Sequence, residues 1–261
     1  MTEYEAFAVE LAREAARVSL PYFRGAFEEA DKGGEAGFDP VTQADQEAEA
    51  ALRRLIAARY PHHGVIGEEY GEDRPEAEQV WVLDPIDGTR AFIAGLPLWT
   101  NLIALSTEGR PTVGVIGQPY LDELFLGGPG GARLLKAGAE TPLATRSCAH
   151  LNEALIATTD PDLFSGAELG AWTQVRAAAR LARLGCDAYA YAMLAAGRID
   201  LVAESALRVW DWSALVPVIE AAGGEVVNWR GGAPGDSGQV LAVGDARLRD
   251  QALVALRRAA L

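Results

Sequence analysis

Residues 81–89 read WVLDPIDGT, an apolar run that ends in two aspartates three positions apart. The apolar run predicts a buried strand, and the proline and glycine after it predict a turn, because proline fixes φ while glycine accepts left-handed backbone. Such a turn would bring the carboxylates of Asp84 and Asp87 to one side of the strand end. A helix is predicted to open at Gly88 and Thr89, so that its first amides lie beside the acids and can bind a phosphate. The alternative for this pattern alone is a plain turn with an aspartate cap.

Further acids stand at the ends of predicted elements elsewhere in the chain. Glu68 and Glu69 follow a short apolar strand, and Asp45 lies in the first turn of a predicted helix. Asp211 lies at the entrance to an otherwise apolar helix. Each alone is explained by a solvated turn or a helix cap. Together, carboxylates from separate segments are the ligands that Mg²⁺ requires, and two such ions about 4 Å apart can orient a water and neutralise a phosphate.

The charge, the apolar runs and the cysteines of the chain disfavour several classes of partner and site. The chain has 37 acids against 23 bases and a net charge of -14, which disfavours nucleic acid, and an anionic substrate would need cations between itself and the protein. No apolar run is long enough for a membrane span, and the first residues do not read as a signal peptide, so a cytoplasmic protein is predicted. Cys148 and Cys186 stand in unrelated contexts, which argues against a disulfide or a thiolate zinc site, and both are interpreted as small buried residues.

The spacing of apolar residues divides the chain into an N-terminal half, 1–150, and a C-terminal half, 151–261, of one compact unit. The first half begins with two amphipathic helices, over about 3–23 and from an N-cap at Thr42 to about Tyr60, and the second helix is expected to expose Glu49. Short strands at hairpin-like separations then predict an antiparallel sheet. In the second half strands alternate with helices, which predicts a layered α/β arrangement.

Three spaced motifs together resemble the inositol monophosphatase superfamily of lithium-sensitive, Mg²⁺-dependent phosphatases. They are GEE at 67–69, DPIDGT at 84–89 and WD at 210–211. The resemblance spans nearly the whole chain and includes DPVTQAD at 39–45 and EAAGG at 220–224. It implies a five-layer αβαβα sandwich with an antiparallel N-terminal sheet and a C-terminal α/β half. It also implies an active site between the halves and a homodimer.

The same resemblance implies the metal ligands. Glu68, Asp84 and the backbone carbonyl of Ile86 would hold the first metal. Asp84, Asp87 and Asp211 would hold the second, so that Asp84 bridges the two. The expected cofactor is Mg²⁺, with two or three ions per site and Mn²⁺ as a substitute, and Li⁺ or Ca²⁺ would inhibit.

Other residues receive roles through the resemblance. Asp45 would act on a third, weaker metal or its waters, and Thr89 with Glu68 would orient the attacking water. The amides of Gly88 and Thr89 would bind the phosphate group. Lys32 is a candidate for the lysine of a mobile flap.

Within the superfamily, several stretches resemble the histidinol-phosphate phosphatases more than the inositol enzymes. These stretches are KGG at 32–34, GFDP at 37–40, TRAFIAG at 89–95 and GCDAYAY at 185–191. Histidinol phosphate carries an amine and an imidazole, so its pocket should present anions beyond the metals, and Asp187 and Glu204 are the candidates. Arg90 completes the predicted substrate-binding residues. The alternative is that Asp187 only caps the helix that begins at Ala188.

The predicted reaction is therefore the hydrolysis of a small-metabolite phosphate monoester by a water molecule, with histidinol phosphate as the favoured substrate. Inositol-1-phosphate, fructose-1,6-bisphosphate and 3′-phosphoadenosine-5′-phosphate remain alternatives. The absence of a basic cluster disfavours the doubly phosphorylated alternatives, because a second phosphate would need its own basic pair, although Arg90, Arg180 and Arg183 keep them open. A noncatalytic metal-binding module is a more distant alternative. So is a paired-carboxylate glycosidase, whose activity would survive chelation.

Overall fold

The computed structural model describes residues 1–26, 29–31 and 40–261, so the predicted flap lysine Lys32 lies outside the described residues. The helices are α1 Glu3–Ser19, α2 Gln43–Arg59, α3 Thr89–Ile93, α4 Ala167–Ala178, α5 Asp187–Ala195, α6 Val209–Trp212, α7 Leu215–Ala221 and α8 Ala246–Leu256. The first ten strands are β1 Glu29–Asp31, β2 Pro40–Thr42, β3 Gly64–Gly67, β4 Gly71–Asp73, β5 Gln79–Asp87, β6 Thr100–Thr107, β7 Arg110–Gln118, β8 Glu123–Gly127, β9 Arg133–Lys136 and β10 Ala139–Pro142. The remaining strands are β11 Leu155–Thr158, β12 Leu181–Leu184, β13 Leu201–Glu204, β14 Glu225–Val227 and β15 Val240–Val243.

Two mixed sheets form the frame. The larger has eight strands in the order β10-β9-β8-β7-β6-β5-β3-β4 and is antiparallel, as predicted, except that β3 runs parallel to β5. The smaller has five strands in the order β12-β11-β13-β15-β14. In it β11 runs parallel to both β12 and β13, whereas β15 runs antiparallel to both of its neighbours.

The five layers confirm the predicted αβαβα sandwich. Helices α1 and α2 cover the outer face of the larger sheet through an apolar cluster that includes Phe7 and Trp81. Helices α5 and α7 lie between the two sheets, where Tyr191 and Leu215 belong to the central cluster. Helices α4 and α8 cover the outer face of the smaller sheet around Trp172. Because both faces of each sheet are covered, the central strands are almost continuously apolar rather than alternating.

The two N-terminal helices begin where the sequence predicts. Thr2 caps α1 through a reciprocal pair of hydrogen bonds with Glu5, whose backbone N–H donates to the Thr2 hydroxyl at 3.2 Å. Thr42 caps α2, and its own amide donates to the carboxylate of Asp45 at 2.9 Å. The second cap therefore buries the Asp45 carboxylate at the helix start.

Several sequence expectations are wrong in detail. Glu49, expected on the exposed face of α2, has a fully buried side chain, because this face of the helix lies against the loop after β3, where the Glu69 amide donates to its carboxylate. Cys148 is buried, but Cys186 is only half-buried. The apolar helix expected to follow directly after Asp211 begins only at Leu215, because Asp211 itself lies in the separate short helix α6. Within the part of the chain that the structure describes, no helix combines the length and apolarity needed to cross a bilayer.

Candidate active site

A β-bulge brings the two aspartates of β5 together. Along β5 and β6, Asp84 pairs with Leu102 but Asp87 pairs with Thr100, so β5 has one extra residue between them. Residues three positions apart in a regular strand point to opposite faces, and one extra residue returns them to the same face. The Asn101 side-chain amide donates to the carbonyl of Pro85 and fixes the bulge. The predicted turn is therefore a bulge within a strand that continues to Asp87.

The parallel pair of strands brings Glu68 to the same edge of the sheet. Gly67 at the end of β3 pairs with Leu83 on β5, and the next amide, that of Glu68, donates to the Leu83 carbonyl at 3.3 Å. Asp45 approaches from the first turn of α2, and its buried carboxylate is close enough to Glu68 for their charges to interact. Acids from β3, β5 and α2 thus meet at one place.

Asp211 comes from the C-terminal half of the chain, where it lies in α6, the helix that follows strand β13. Carboxylate oxygens of Asp84, Asp87 and Asp211 lie within 4.8 Å of one another, a spacing at which one ion can contact all three. Asp211 is not the N-cap of its helix, because that position is Arg208, whose amide donates to the Asp211 carboxylate at 2.6 Å. Residues from the N-terminal and the C-terminal halves of the chain therefore lie together in this cluster.

Burial, together with mutual repulsion, disfavours ionisation of the acids in this cluster. Burial, followed by the charges of Glu68, Asp87 and Asp211, raises the pKa of Asp84 well above its ordinary range. Burial and the nearby Asp187 likewise raise the pKa of Asp87, against the opposing effect of two hydrogen bonds to its carboxylate. Burial also raises the pKa of Asp45 to about 6.

A divalent cation fits this donor set. Oxygen ligands from separate, rigid elements are what Mg²⁺ and similar hard ions prefer. Such an ion would compensate the mutual repulsion of the carboxylates and displace the protons that burial retains on them.

A short helix, α3, begins directly after β5, where the sequence predicts a helix start. Gly88 is the N-cap of α3 and has φ +79°, a left-handed conformation that glycine adopts without strain. A Cβ at this position would also lie 3.0 Å from Cγ of Asp187. The Thr89 hydroxyl donates to the Ile86 carbonyl at 3.1 Å, which leaves its oxygen able to accept a further hydrogen bond.

Helix α5 is attached to the cluster through its N-terminus. The amide of Ala188 donates to Oδ2 of Asp87 at 2.8 Å, and the Thr100 hydroxyl donates to the same oxygen at 3.1 Å. The carboxylate that accepts the Ala188 amide is therefore that of Asp87 and not that of Asp187. Asp187 is the first residue of α5, at φ +45°, and its side chain lines the cavity beside the cluster.

A cavity of about 370 Å³ opens onto these residues. Its lining includes all three predicted substrate-binding residues, Asp187, Glu204 and Arg90. Glu204 is buried at the end of β13, and burial raises its pKa to about 8. Burial also raises the pKa of Asp187 to about 6, although the nearby Arg90 opposes the shift. Besides the expected metal ligands, the cavity is therefore lined by a second acidic group, Asp187 and Glu204.

The residues of the cavity wall that the sequence did not assign to the site include Tyr191 and Arg208. The Tyr191 hydroxyl is buried and has no hydrogen-bond partner among the described residues. Tyr191 lies one helical turn after Asp187 on an alanine-rich helix, and that spacing is the signal that points to it. Arg180 and Arg183, considered for a second phosphate, are exposed and do not line the cavity.

Comparison with known proteins agrees with this geometry. The sequence pattern of the inositol monophosphatase family matches residues 1–260. The bifunctional phosphatase IMPL2 of Arabidopsis thaliana, a chloroplastic protein, is 43% identical over 98% of this chain and 76% of its own length. A histidinol-phosphatase of Chlorobaculum parvum is 34% identical over 88% of each chain. The solved structure of an inositol monophosphatase from Zymomonas mobilis is 38% identical and superposes with a TM-score of 0.87, covering 98% of this chain and 100% of that one.

The fold, the carboxylate cluster and these similarities define one class of protein. The chain belongs to the inositol monophosphatase family. It is a metal-dependent phosphomonoesterase of that family, with a phosphate monoester as substrate.

Proposed function

We propose that the chain is a Mg²⁺-dependent histidinol-phosphate phosphatase, which converts histidinol phosphate and water to histidinol and inorganic phosphate. The observation that carries the proposal is the second acidic group, Asp187 and Glu204, on the wall of the same cavity as the metal-binding cluster. A substrate with an amine and an imidazole can place its phosphate at one group and its cationic end at the other. The similarity to a protein named as a histidinol-phosphatase supports this choice.

The cationic end of the substrate suits the electrostatics of the second group. Burial disfavours the charged forms of Asp187 and Glu204, whose pKa values rise to about 6 and about 8. An ammonium or imidazolium group next to them would restore ionisation and form charge-assisted hydrogen bonds. A neutral polyol can accept or donate hydrogen bonds here but brings no compensating charge.

The residues of the cluster would hold two metal ions, as the family resemblance implies. Glu68, Asp84 and the Ile86 carbonyl would hold one Mg²⁺, and Asp84, Asp87 and Asp211 a second. Bound Mg²⁺ supplies Lewis-acid stabilisation of the phosphate and favours deprotonation of a water molecule.

The protein groups orient the reactants. The Thr89 hydroxyl, directed by its bond to the Ile86 carbonyl, and the Glu68 carboxylate would align the attacking water. The first amides of α3, from Gly88 and Thr89, would hold the phosphate oxygens. Asp45, on α2, would orient further waters or a weaker third ion.

Inositol-1-phosphate is the second candidate substrate. The similarity to the inositol monophosphatase of Zymomonas mobilis favours it, since that chain is matched over its whole length. Buried carboxylates also accept hydrogen bonds from sugar hydroxyls. The two candidates differ in the charge that they bring to Asp187 and Glu204.

Phosphate release from both substrates, with and without Mg²⁺, tests the proposal. Asp187→Ala is expected to lower kcat/KM for histidinol phosphate by about tenfold or more while sparing inositol-1-phosphate, because only the former offers a cation to this carboxylate. Asp162→Ala is the matched control, since Asp162 is exposed and does not line the cavity. A wild-type preference for inositol-1-phosphate, or an equal loss on both substrates, would contradict the assignment of histidinol phosphate.

A homodimer and a cytoplasmic location remain predictions. Light scattering of the purified chain at micromolar concentration tests the first, and an observed monomer would contradict it. Fractionation of the source cells tests the second.

A further inference from the structure

Three residues of α2 lie on one face of the helix at successive turns. They are Asp45, Glu49 and Arg53, and residues four apart lie above one another on a helix. Asp45 is in the candidate active site. Glu49, one turn further, is fully buried, and Arg53 follows at the edge, with a side chain 20% exposed. This face of α2 points toward the connection between β3 and β4, which contains Glu68.

Glu49 binds the backbone of that connection. Its Oε2 accepts the amide of Glu69 at 2.8 Å, and its Oε1 accepts the amide of Tyr70 at 3.2 Å. Arg53 completes the arrangement, because its Nε donates to Oε1 of Glu49 at 2.7 Å and its guanidinium also donates to the carbonyl of Gly71. The two side chains thus hold the backbone on the C-terminal side of Glu68.

The backbone on the other side of Glu68 is in close contact with the same carboxylate. A Cβ on Gly67 would lie 2.1 Å from Oε1 of Glu49, so only glycine permits this approach. The Glu68 amide itself bonds to the Leu83 carbonyl on β5. The residues on both sides of Glu68 are therefore fixed against α2 and against the strand that contains Asp84.

We propose that Glu49 is a positioning residue for Glu68 and that it sets the affinity of the site for divalent metal. The proposal deepens the function proposed above, in which Glu68 is a metal ligand. Removal of a residue that orients a metal ligand without contacting the metal typically lowers the metal affinity by about 10- to 100-fold. A charged acceptor is required here, because both carboxylate oxygens receive hydrogen bonds from donors that have no acceptor capacity.

Glu49→Gln tests the proposal with little change in volume. The new NH₂ group must face either a backbone amide or the Arg53 guanidinium, both of which are donors, so the connection has to shift. Calorimetric titration of the metal-free chain with Mg²⁺ is expected to show Kd raised by about tenfold or more. The Mg²⁺ concentration for half-maximal phosphate release should rise by the same factor.

Glu47→Gln is the matched control. Glu47 lies on the same helix, but its exposed carboxylate bonds to Tyr22 and Gln43 rather than to the connection after β3. We expect it to leave the Mg²⁺ affinity unchanged. A purely structural role for Glu49 would lower the thermal stability of the metal-free chain without changing the Mg²⁺ Kd.

Arg53→Met decides the question if Glu49→Gln does not fold, since the Arg53 side chain lies at the protein edge. Like Glu49→Gln, it is expected to raise the Mg²⁺ Kd. A wild-type Kd in folded Glu49→Gln, or in Arg53→Met where the former does not fold, would overturn the proposal. The two proposals fail separately, because absence of Mg²⁺-dependent phosphate release by the wild-type chain rejects the function, whereas the calorimetric Kd tests Glu49.

Discussion

Neutralising Glu204 should reduce the pH dependence of stability in the metal-free protein. Glu204 accepts bonds from the Thr158 hydroxyl at 3.1 Å and from the amide and hydroxyl of Thr159 at 2.7 and 3.0 Å. Burial nevertheless raises its pKa from 4.5 to about 8. The native chain therefore retains a proton that the unfolded chain releases near pH 4.5. Its stabilising contribution is complete below that pH and is lost as the pH rises through about 8.

The size of the effect follows from these values. At about 1.36 kcal/mol per pH unit, the whole loss is about 5 kcal/mol, of which about 3 kcal/mol falls between about pH 5.5 and 8.5. Urea unfolding in EDTA at those two pH values measures the free energy of unfolding directly. We expect wild type to lose about 3 kcal/mol more than Glu204→Gln over this interval.

Glu220→Gln is the control, because the Glu220 side chain is 42% exposed and pairs with Arg110 at the surface. An exposed carboxylate pays little desolvation penalty, so this variant should follow wild type. The same pH dependence in wild type and Glu204→Gln would refute the reasoning, since it would show that the buried carboxylate ionises without cost.

Three further perturbations have defined outcomes. Asp84→Asn should lower kcat/KM by about 10³-fold or more and raise the melting temperature in EDTA at neutral pH, because it removes a buried carboxyl that ionises in the unfolded chain but not readily in the folded one. Gly88→Ala should destabilise by about 1–3 kcal/mol in urea unfolding, since a Cβ meets Asp187 at φ +79°. Gly109→Ala, at φ +76° with open space around the new Cβ, isolates the backbone contribution and should cost less. Tyr191→Phe should change the unfolding free energy by less than about 1 kcal/mol, because its hydroxyl has no partner in the described chain, and a larger loss would reveal one.

Local patterns predicted much of the fold. The apolar run before Asp84 is a central strand, and the Thr42 cap begins α2 as expected. The β9–β10 hairpin was missed because its second strand, Ala139–Pro142, is exposed throughout and has no apolar pattern. Strand β15, Val240–Val243, is entirely buried, but a run of four apolar residues is too short to identify from periodicity alone.

The grouping of the site acids was predicted, whereas the means of holding them was not. The bulge between Asp84 and Asp87 depends on the register with β6, which local sequence does not encode. Glu49 looked like a solvent-facing helix residue because its backbone partners are distant in sequence. A cap pattern offered the alternative that Asp187 caps the start of α5, but the carboxylate that accepts the helix amide there is that of Asp87, about a hundred residues earlier. Nonlocal hydrogen bonds account for each of these differences.

Restoration of activity by Mg²⁺ tests the central claim most directly. Wild type and Asp211→Asn, both stripped with EDTA and dialysed, would be assayed for phosphate release from histidinol phosphate as Mg²⁺ is added back. We expect no release from wild type without metal, full release at millimolar Mg²⁺, and a loss in Asp211→Asn of about 10²-fold or more at every Mg²⁺ concentration. Release that persists after chelation, or an Asp211→Asn variant that responds to Mg²⁺ as wild type does, would contradict a metal-dependent phosphatase centred on these carboxylates.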